Sequence, residues 1–353
     1  MKDRSQVKEF VLSRGDPLSL LSHMTFYGLA SILESEGQSG VLLSWTDGMA
    51  PRPRLSGPYL TEQVLARSVL SHAEVRSRSD SWPSERIAIQ SKTGSTQRGL
   101  MSPRLGAISD WPDLQSRRHR VLNELMESRR WVDSRLLWSL GEPSYWRFGK
   151  DGKLARQDEG ASRLEMQPRN QGSEIVGNRF SPLADLVKKR TESDVISGLR
   201  GEVVLDKLGN DKPSSRSATG FRGPGPVDDV VSWCALWGIS QFALSQSTRE
   251  TAATLGHLSS RSKDLNASWF YVPVWRGEWT PSRLRSLLAG SQLRQAAAEA
   301  VGLGRGTVLE PTERWLQVRG VLAVITFRIE ILGGKSPESR AQRGTLHRIG
   351  LAP

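Results

Sequence analysis

The stretch that most constrains the fold is SWFYVPVWRGEWTPSRLRSLL, residues 268 to 288. Its first half is rich in aromatic and β-branched residues, which predict a strand ending at Trp275, and a glycine-containing turn follows. Thr280 then has the position of a helix N-cap, Pro281 that of the first helical residue, and leucines recur on one face of the next segment. The sequence therefore predicts a strand, a tight turn and a helix in direct succession.

The turn of this unit gathers residues that are suited to nucleic acid. Aromatic rings stack on bases, and guanidinium groups reach phosphates. We therefore predict that Trp275, Arg276 and Trp279 form a stacking site or a contact with a neighbouring subunit. The same residues are also compatible with a buried strand whose arginines are merely solvated.

The charge balance of the 353-residue chain indicates a polyanionic partner. Lys plus Arg number 49 against 37 Asp plus Glu, which gives a net charge of +12 and a pI near 10.2. Arginine greatly outnumbers lysine, and its planar guanidinium can bind phosphate through two hydrogen bonds at once. A genome of high GC content would also favour arginine over lysine, but it would not explain the net charge. Nucleic acid is therefore the expected partner.

Cysteine usage and hydropathy narrow the class of protein further. The single cysteine, Cys234, excludes an internal disulfide framework and a cysteine-based zinc site. No apolar segment approaches the roughly 18 residues of a membrane span, and no secretory hydrophobic segment follows the charged N-terminus. We therefore expect a soluble cytoplasmic protein that needs no cofactor.

Local signals along the chain predict an α+β fold of mixed α/β character, with small antiparallel sheets, amphipathic helices and long basic loops. A segment rich in Gly, Pro and Ser suggests a boundary, so we divide the chain into an N-terminal α/β, DNA-facing domain (1–209), a linker (210–226) and a C-terminal α/β domain with a β-α-β unit (227–353). Helices are predicted to start at Asp16, Thr61, Asp113 and Ser181 and at Asp228 or Asp229, and strands are predicted at 41–46 and 202–208. The run from Leu316 is predicted to be a long strand or a hairpin bent at Gly320. We also predict a long basic loop at 76–104, a hairpin at 145–155 and a basic tail at 335–353.

The clearest helical pattern runs from Asp113 to Leu140. Its arginines are predicted to form a ridge that follows a phosphate backbone. Alternatively, they form a solvated face that is balanced by the intervening glutamates. The ridge residues are Arg117, Arg118, Arg120, Arg129 and Arg130.

A polar segment at residues 162–180 carries side chains that can read base edges, since Arg suits guanine and Asn or Gln suits adenine. The alternative is an ordinary turn, because the same residue types dominate loops. The predicted base-reading residues are Gln167, Arg169, Asn170, Gln171 and Asn178.

Motifs for catalysis are missing from the sequence. The five histidines are scattered, and no HExxH or GxSxG motif occurs. The sequence also identifies no catalytic base that would activate the thiol of Cys234. The GGKS segment at Gly333 lacks the glycine spacing of a P-loop. We therefore expect a binding protein and not an enzyme.

Three segments resemble one family: DPLSLLSHMTFYGLASIL from Asp16, NQGSEIVGNRF from Asn170, and VPVWRGEWTPSRLRSLLAG from Val272. Together they are similar to the large subunits of type I CRISPR surveillance (Cascade) complexes, in the compact branch classed as type U or G. The resemblance covers about a third of the chain in short patches.

The resemblance implies a non-enzymatic subunit of a crRNA-guided antiviral ribonucleoprotein. Such a subunit recognises a protospacer-adjacent motif in duplex DNA, aids R-loop formation and engages the helicase-nuclease, while the guide supplies most of the sequence specificity. Its implied partners are guide crRNA, double-stranded target DNA, the other complex subunits and the helicase-nuclease. The resemblance also extends the phosphate-backbone role of Arg117, Arg118, Arg120 and Arg129 to Arg179, Lys188 and Lys189.

Two other functions stay open at the level of sequence. The strand-turn-helix unit and the last strand could form a β-α-β half of a ferredoxin-like CRISPR RNA-processing endonuclease, with His23 or His257 as general acid or base. Alternatively, the chain is a general basic nucleic-acid-binding structural protein, which would not depend on a guide RNA.

Overall fold

The computed structural model describes residues 8–91, 94–105, 110–144, 148, 152, 157–166, 175–215, 219–245, 253–261, 266–304, 310–332 and 338–350. Over these residues the chain has the predicted α+β fold, in which helices pack with small antiparallel sheets. The hairpin predicted at 145–155 lies outside the described residues, except for Phe148 and Gly152.

The described residues contain ten α-helices and twelve strands. The helices are α1 Leu20–Ser35, α2 Glu62–Ser77, α3 Trp111–Glu127, α4 Trp131–Leu140, α5 Ser181–Val187, α6 Glu192–Arg200, α7 Asp229–Trp237, α8 Pro281–Leu288, α9 Ser291–Ala300 and α10 Glu310–Val318. The strands are β1 Lys8–Val11, β2 Leu42–Trp45, β3 Pro53–Gly57, β4 Arg86–Ser91, β5 Gly94–Gly99, β6 Leu244–Ser245, β7 Ala253–Thr254, β8 His257–Arg261, β9 Asn266–Trp275, β10 Val321–Leu332, β11 Glu338–Ala341 and β12 Thr345–Arg348.

Helix α1 is the centre of the core. Thirteen of its sixteen residues are buried. Helix α7 approaches it so closely that a Cβ atom on Gly28 would lie 1.7 Å from the carbonyl oxygen of Cys234. A glycine at this position therefore allows the two backbones to touch.

Two antiparallel sheets are linked through the strand-turn-helix unit. The larger sheet has the strand order β11-β10-β9-β8, and β12 also pairs with β10. The smaller sheet has the order β1-β3-β2. Leu43 of β2 and Trp279, just after β9, exchange two backbone hydrogen bonds of 2.7 and 2.8 Å. The turn after β9 is thus held by both sheets.

The buried core runs across the predicted linker. Apolar residues from both sides of 210–226 form one contiguous cluster, and Phe221 inside the predicted linker is itself buried. Helix α1, from the predicted N-terminal domain, packs against α7, from the predicted C-terminal domain. The linker therefore does not coincide with a gap in the core.

The helix start predicted at Asp16 is wrong, because α1 begins at Leu20 with Ser19 as its N-cap. Other helix starts that were predicted from local capping are confirmed. The Thr61 hydroxyl accepts the N–H of Val64 at 3.1 Å, and the Asp228 carboxylate accepts that of Val230 at 2.8 Å. Helix α8 likewise starts after Thr280. These caps satisfy N–H groups that have no partner inside the helix, so they fix where each helix begins.

Two segments that were predicted to be irregular form strands instead. The predicted basic loop at 76–104 contains the β4-β5 hairpin, in which Ile87 and Ile89 point inward. The predicted basic tail contains β11 and β12, which pair with β10. These last strands depend on a partner strand, so their local sequence gives only a weak signal.

The strand predicted at 202–208 is wrong, because side-chain hydrogen bonds turn the backbone there. The Asp206 carboxylate accepts the N–H of Gly209 at 2.9 Å, and the Asp211 carboxylate accepts the N–H of Asp206 at 2.8 Å. Asp side chains that bind nearby N–H groups compete with strand pairing. The apolar residues Val203 and Val204 are consequently exposed.

Two long runs of the sequence are divided by residues with a left-handed backbone conformation. The helical run from Asp113 to Leu140 breaks into α3 and α4 at Arg129, which has φ 56°. The apolar run from Leu316, predicted as a long strand or a hairpin bent at Gly320, does turn at Gly320, which has φ 84°. The residues before the turn end α10, so only those after it form a strand, β10. The break between α3 and α4 contains no Gly or Pro, so the sequence gives no signal that predicts it.

Candidate nucleic-acid interface

The strand-turn-helix unit is built as its local signals require. Strand β9 ends at Trp275, and Gly277 in the turn has φ 79°, a conformation that glycine adopts without strain. Thr280 accepts the N–H of Arg283 at 3.2 Å and so caps α8, with Pro281 in its first turn. The turn is therefore fixed on both sides by regular structure.

The two tryptophans of this turn are buried, which corrects the prediction that they stack on bases. Each is only 1% exposed, and their rings stack on each other with centroids 4.6 Å apart. The Trp275 indole N–H donates to the carbonyl oxygen of Leu43 at 3.3 Å. Trp275 also stacks on Phe26 of α1. The pair anchors the turn to the core and offers no ring face to a base.

Arg276 lies on the surface beside two further arginines. Its backbone N–H donates to the carbonyl oxygen of Gly320 at 2.8 Å, which joins the turn after β9 to the turn before β10. The Arg283 guanidinium donates to the carbonyl oxygen of Arg319 at 2.7 Å. Arg276, Arg283 and Arg319 are all exposed. We call these three residues the arginine cluster.

Two members of the arginine cluster are held by aromatic rings. The Cζ atom of Arg283 lies 4.7 Å from the ring centroid of Trp279, and that of Arg319 lies 3.6 Å from the ring centroid of Trp315. Guanidinium groups over aromatic rings are favourably placed through cation-π attraction. The buried Trp279 thus supports the site from below without itself contacting a ligand.

The arginine cluster carries positive charge that the fold does not neutralise. None of its three guanidinium groups forms an ion pair within the described residues. The nearby carboxylate of Glu278 is directed to β3, where it accepts the Ser56 hydroxyl at 2.7 Å. Many other arginines are paired, as Arg67 is with Glu192. The cluster is therefore suited to phosphate oxygens.

The predicted ridge on α3 is interrupted by buried and paired arginines. Arg118 is only 4% exposed and donates to the carbonyl oxygen of Leu100 at 2.7 Å, so its phosphate-contact role is corrected to a structural one. Burial lowers the pKa of the Arg118 guanidinium to about 10. Half-buried Arg117 donates to the carbonyl oxygen of Arg86 at 3.1 Å.

The remaining charges of α3 do not form a positive face. Exposed Arg120 lies 3.7 Å from the carboxylate of Glu124, and Asp113 and Glu127 are exposed on the same helix. Arg129, after the end of α3, is exposed. Arg130 is paired with Asp133 at 3.0 Å. Net positive charge along α3 is therefore limited to the turn that follows it.

The other predicted phosphate contacts are spread over two environments. Arg179 is half-buried in a π-helical turn, Val176–Phe180, where burial lowers its guanidinium pKa and the carboxylate of Glu338 raises it. Lys188 pairs with Asp185 at 2.7 Å. Lys189 is exposed and forms no ion pair within the described part of the chain.

Of the predicted base-reading residues, only Asn178 lies in the described part of the chain. It is half-buried in the same π-helical turn as Arg179. The neighbouring Gly177 lies against β5, since a Cβ on Gly99 would be 2.8 Å from the Gly177 Cα. Gln167, Arg169, Asn170 and Gln171 lie outside the described residues.

The two histidines named as alternative general acids or bases of a ribonuclease lie in different environments. His23 is fully buried in α1, where its Nε2 is 2.7 Å from the carbonyl oxygen of Pro17. His257 lies in β8 against the ring of Phe270. Strands β9 and β10 are antiparallel neighbours, whereas a β-α-β half requires parallel strands. The ferredoxin-like arrangement is therefore wrong for this unit.

Sequence reasoning identified Arg276 but missed Arg319. Arg319 follows α10, far along the chain, and it reaches the turn after β9 because β9 and β10 pair antiparallel from Trp275 and Val321 onward. A signal was present in the sequence, since Arg319 and Gly320 directly precede the longest apolar run. An antiparallel pairing of that run with β9 would have predicted the contact.

The sequence matches no protein-family model, and no curated protein matches it. Within the described residues, no group of three or more His, Cys, Asp and Glu side chains is placed to hold a metal ion. None of the described helices is long and apolar enough to span a membrane.

Proposed function

We propose that this chain is a nucleic-acid-binding subunit whose arginine cluster contacts phosphate groups. The observation that carries the proposal is that Arg276, Arg283 and Arg319 lie on two segments that are joined by hydrogen bonds, are exposed and have no ion pair within the described residues. The net charge of +12 supports the same partner class. The planar guanidinium group of arginine can bind a phosphate through two hydrogen bonds at once.

Within this class, the assembly that we propose is a crRNA-guided antiviral ribonucleoprotein of the cytoplasm. The chain acts there as a non-catalytic large subunit, which recognises the protospacer-adjacent motif and duplex DNA, aids R-loop formation and recruits the helicase-nuclease. Its support is the family resemblance of the strand-turn-helix unit, together with the charge. Because guide RNA pairs with the target, such a subunit needs few base-reading residues and a basic surface.

Native purification of the tagged chain from its own host tests the assembly. We expect co-purification of small RNA of one uniform length together with other proteins of the complex. RNA of heterogeneous length would instead favour a general basic nucleic-acid-binding protein. A sample free of nucleic acid at low salt, where phosphate contacts are strongest, would contradict both.

A further inference from the structure

The turn between β9 and α8 contains one carboxylate, that of Glu278, two residues after Arg276 of the arginine cluster. Glu278 is exposed, yet its Oε1 atom accepts a hydrogen bond of 2.7 Å from the hydroxyl group of Ser56. Ser56 lies in β3 of the smaller sheet and is only 2% exposed. A buried hydroxyl group therefore holds the one negative charge of the turn.

Without this hydrogen bond, the Glu278 carboxylate could pair with the arginine cluster. Arg276 and Glu278 are two positions apart, so their Cα atoms are at most about 7 Å from each other, and both side chains are long and flexible. The Arg283 guanidinium lies over the ring of Trp279, the residue that follows Glu278. The position of this carboxylate thus decides whether the cluster keeps its full positive charge.

The hydroxyl group of Ser56 is the one hydrogen-bond partner of the Glu278 carboxylate within the described residues. No cation of β3 holds Glu278 instead, because Arg54, the only cation of that strand, pairs with Glu9 at 3.4 Å. A single hydrogen bond to a neutral group therefore separates Glu278 from the nearest unpaired arginines.

The connection between the turn and the smaller sheet does not depend on Ser56. Leu43 of β2 and Trp279 already join the two through backbone hydrogen bonds of 2.7 and 2.8 Å, and the Trp275 indole N–H donates to the carbonyl oxygen of Leu43. These bonds remain when the Ser56 hydroxyl is removed. The contribution that belongs to Ser56 alone is the placement of the Glu278 side chain.

We propose that Ser56 is a positioning residue of the phosphate-binding site, whose hydroxyl group keeps Glu278 hydrogen-bonded to β3 and so leaves Arg276 free to bind phosphate. This inference rests on the proposed nucleic-acid-binding function. A carboxylate paired with Arg276 would compete with phosphate for the same N–H groups. Ser56 thus supports binding without contacting the ligand.

The test measures binding of the full-length chain to a short fluorescein-labelled DNA duplex by fluorescence anisotropy, from low to moderate salt. The variants are Ser56→Ala, Glu278→Gln and the double variant that combines them. The matched control is Ser134→Ala, because Ser134 is also fully buried but donates to the carbonyl oxygen of Arg130 on another element. Thermal unfolding establishes that each variant is folded.

We expect Ser56→Ala to bind the duplex about two- to fivefold more weakly at low salt, which is the usual strength of an exposed ion pair. The slope of log K against log salt should fall in magnitude by up to about 0.9, because one phosphate contact is replaced by an internal pair. Glu278→Gln should bind at least as tightly as the wild type. Ser134→Ala should match the wild type in both respects.

The decisive result is the double variant. Because a neutral amide cannot form an ion pair with Arg276, Ser56→Ala should have no effect on affinity or slope when Glu278 is already replaced by Gln. Glu278→Asp provides a second route that leaves the core unchanged. Its shorter side chain keeps the charge but does not reach Ser56, so it should bind as weakly as Ser56→Ala.

Three outcomes would overturn the inference. In the first, Ser56→Ala and Glu278→Asp bind as tightly as a wild type that does bind, which leaves the proposed function intact. In the second, Ser56→Ala weakens binding equally with Glu278 and with Gln at that position, so that its effect does not pass through the carboxylate. In the third, the wild type does not bind the duplex at low salt, and the proposed function fails as well.

Discussion

Arg118 and Arg117 are neighbours in the sequence, but only Arg118 is buried and bonded to several carbonyl groups of the core. Arg118 extends from α3 into the core and donates to the carbonyl oxygens of Leu100, Ser102 and Gly141. Arg117, the preceding residue, is half-buried. A guanidinium group has five N–H donors, so one side chain can satisfy several buried carbonyl groups that would otherwise lack a partner.

Replacing Arg118 by alanine should destabilise the protein without selectively affecting nucleic-acid binding. The free energy of unfolding should fall by about 2–4 kcal/mol, because the carbonyl groups lose their donors and a cavity remains. Arg117→Ala is the matched control and should cost less than about 1 kcal/mol. Urea unfolding measures both. Equal stability of the two variants would contradict the structural role of Arg118.

His23 should make stability depend on pH. It is fully buried, and burial lowers its pKa to about 4, compared with 6.5 in the unfolded chain. Above pH 6.5 both states are neutral at this residue. As the pH falls from 6.5 to 4, His23 is protonated in the unfolded chain but stays neutral in the folded chain. The free energy of unfolding therefore falls by up to about 3 kcal/mol.

Urea unfolding between pH 4 and pH 7 measures this effect. His23→Gln should lose stability less steeply over that range than the wild type, whatever its stability at pH 7. The exposed His119 provides the control, and His119→Gln should follow the wild-type slope. Burial also lowers the pKa of His72, so some pH dependence should persist in His23→Gln. A slope unchanged in His23→Gln would be inconsistent with its buried, neutral state.

At the scale of elements, the turn after β9 couples a helix cap to the arginine cluster. The Thr280 hydroxyl holds the N–H of Arg283, and the Arg283 guanidinium in turn reaches the carbonyl oxygen of Arg319. The cap therefore fixes both the start of α8 and the position of one phosphate-binding side chain. Loss of the cap should affect stability and binding together.

Thr280→Ala should lower the free energy of unfolding by about 1 kcal/mol, the usual cost of an N-cap. It should also weaken nucleic-acid binding, because a frayed first turn no longer positions Arg283. Thr280→Ser keeps the hydroxyl and should restore both properties. Thermal unfolding and anisotropy titrations report the two effects. Wild-type stability in Thr280→Ala would show that the cap contributes nothing.

The elements that the sequence predicts well are those that are specified locally. Thr280 and Pro281 identify the start of α8 without reference to any other segment, and the pair Asp228 and Asp229 locates that of α7, where Asp228 is the N-cap. Strand β12 escapes prediction because its structure depends on pairing with β10. The break at Arg129 escapes for a different reason, since a non-glycine residue adopts a left-handed conformation there.

In the candidate site, too, the sequence predicts what neighbouring residues specify and misses what depends on distant segments. Arg276 is predictable because it stands in a turn that its own neighbours specify. Sequence alone does not distinguish buried Trp275 from exposed Trp131, since both are tryptophans within amphipathic segments. Their exposure depends on α1 and on the smaller sheet, which contact the first ring and leave the second in solvent.

At the scale of the whole molecule, the position of positive charge matters more than its amount. Many arginines near the surface are paired with carboxylates, as exposed Arg67 is with Glu192, half-buried Arg200 with Glu62 and exposed Arg343 with Asp16. The arginine cluster has no such partners within the described residues. An approaching polyanion can therefore bind the cluster without breaking an internal ion pair.

The most direct test of this account compares two variants of equal net charge. In the cluster variant, the three arginines of the arginine cluster are replaced by glutamine. In the paired variant, Arg67, Arg200 and Arg343 are replaced by glutamine. Affinity for duplex DNA is measured from low to moderate salt. The account predicts that the slope of log K against log salt falls in magnitude by about 2.7 for the cluster variant, about 0.9 for each phosphate contact, and changes far less for the paired variant. Identical slopes for the two variants would contradict it.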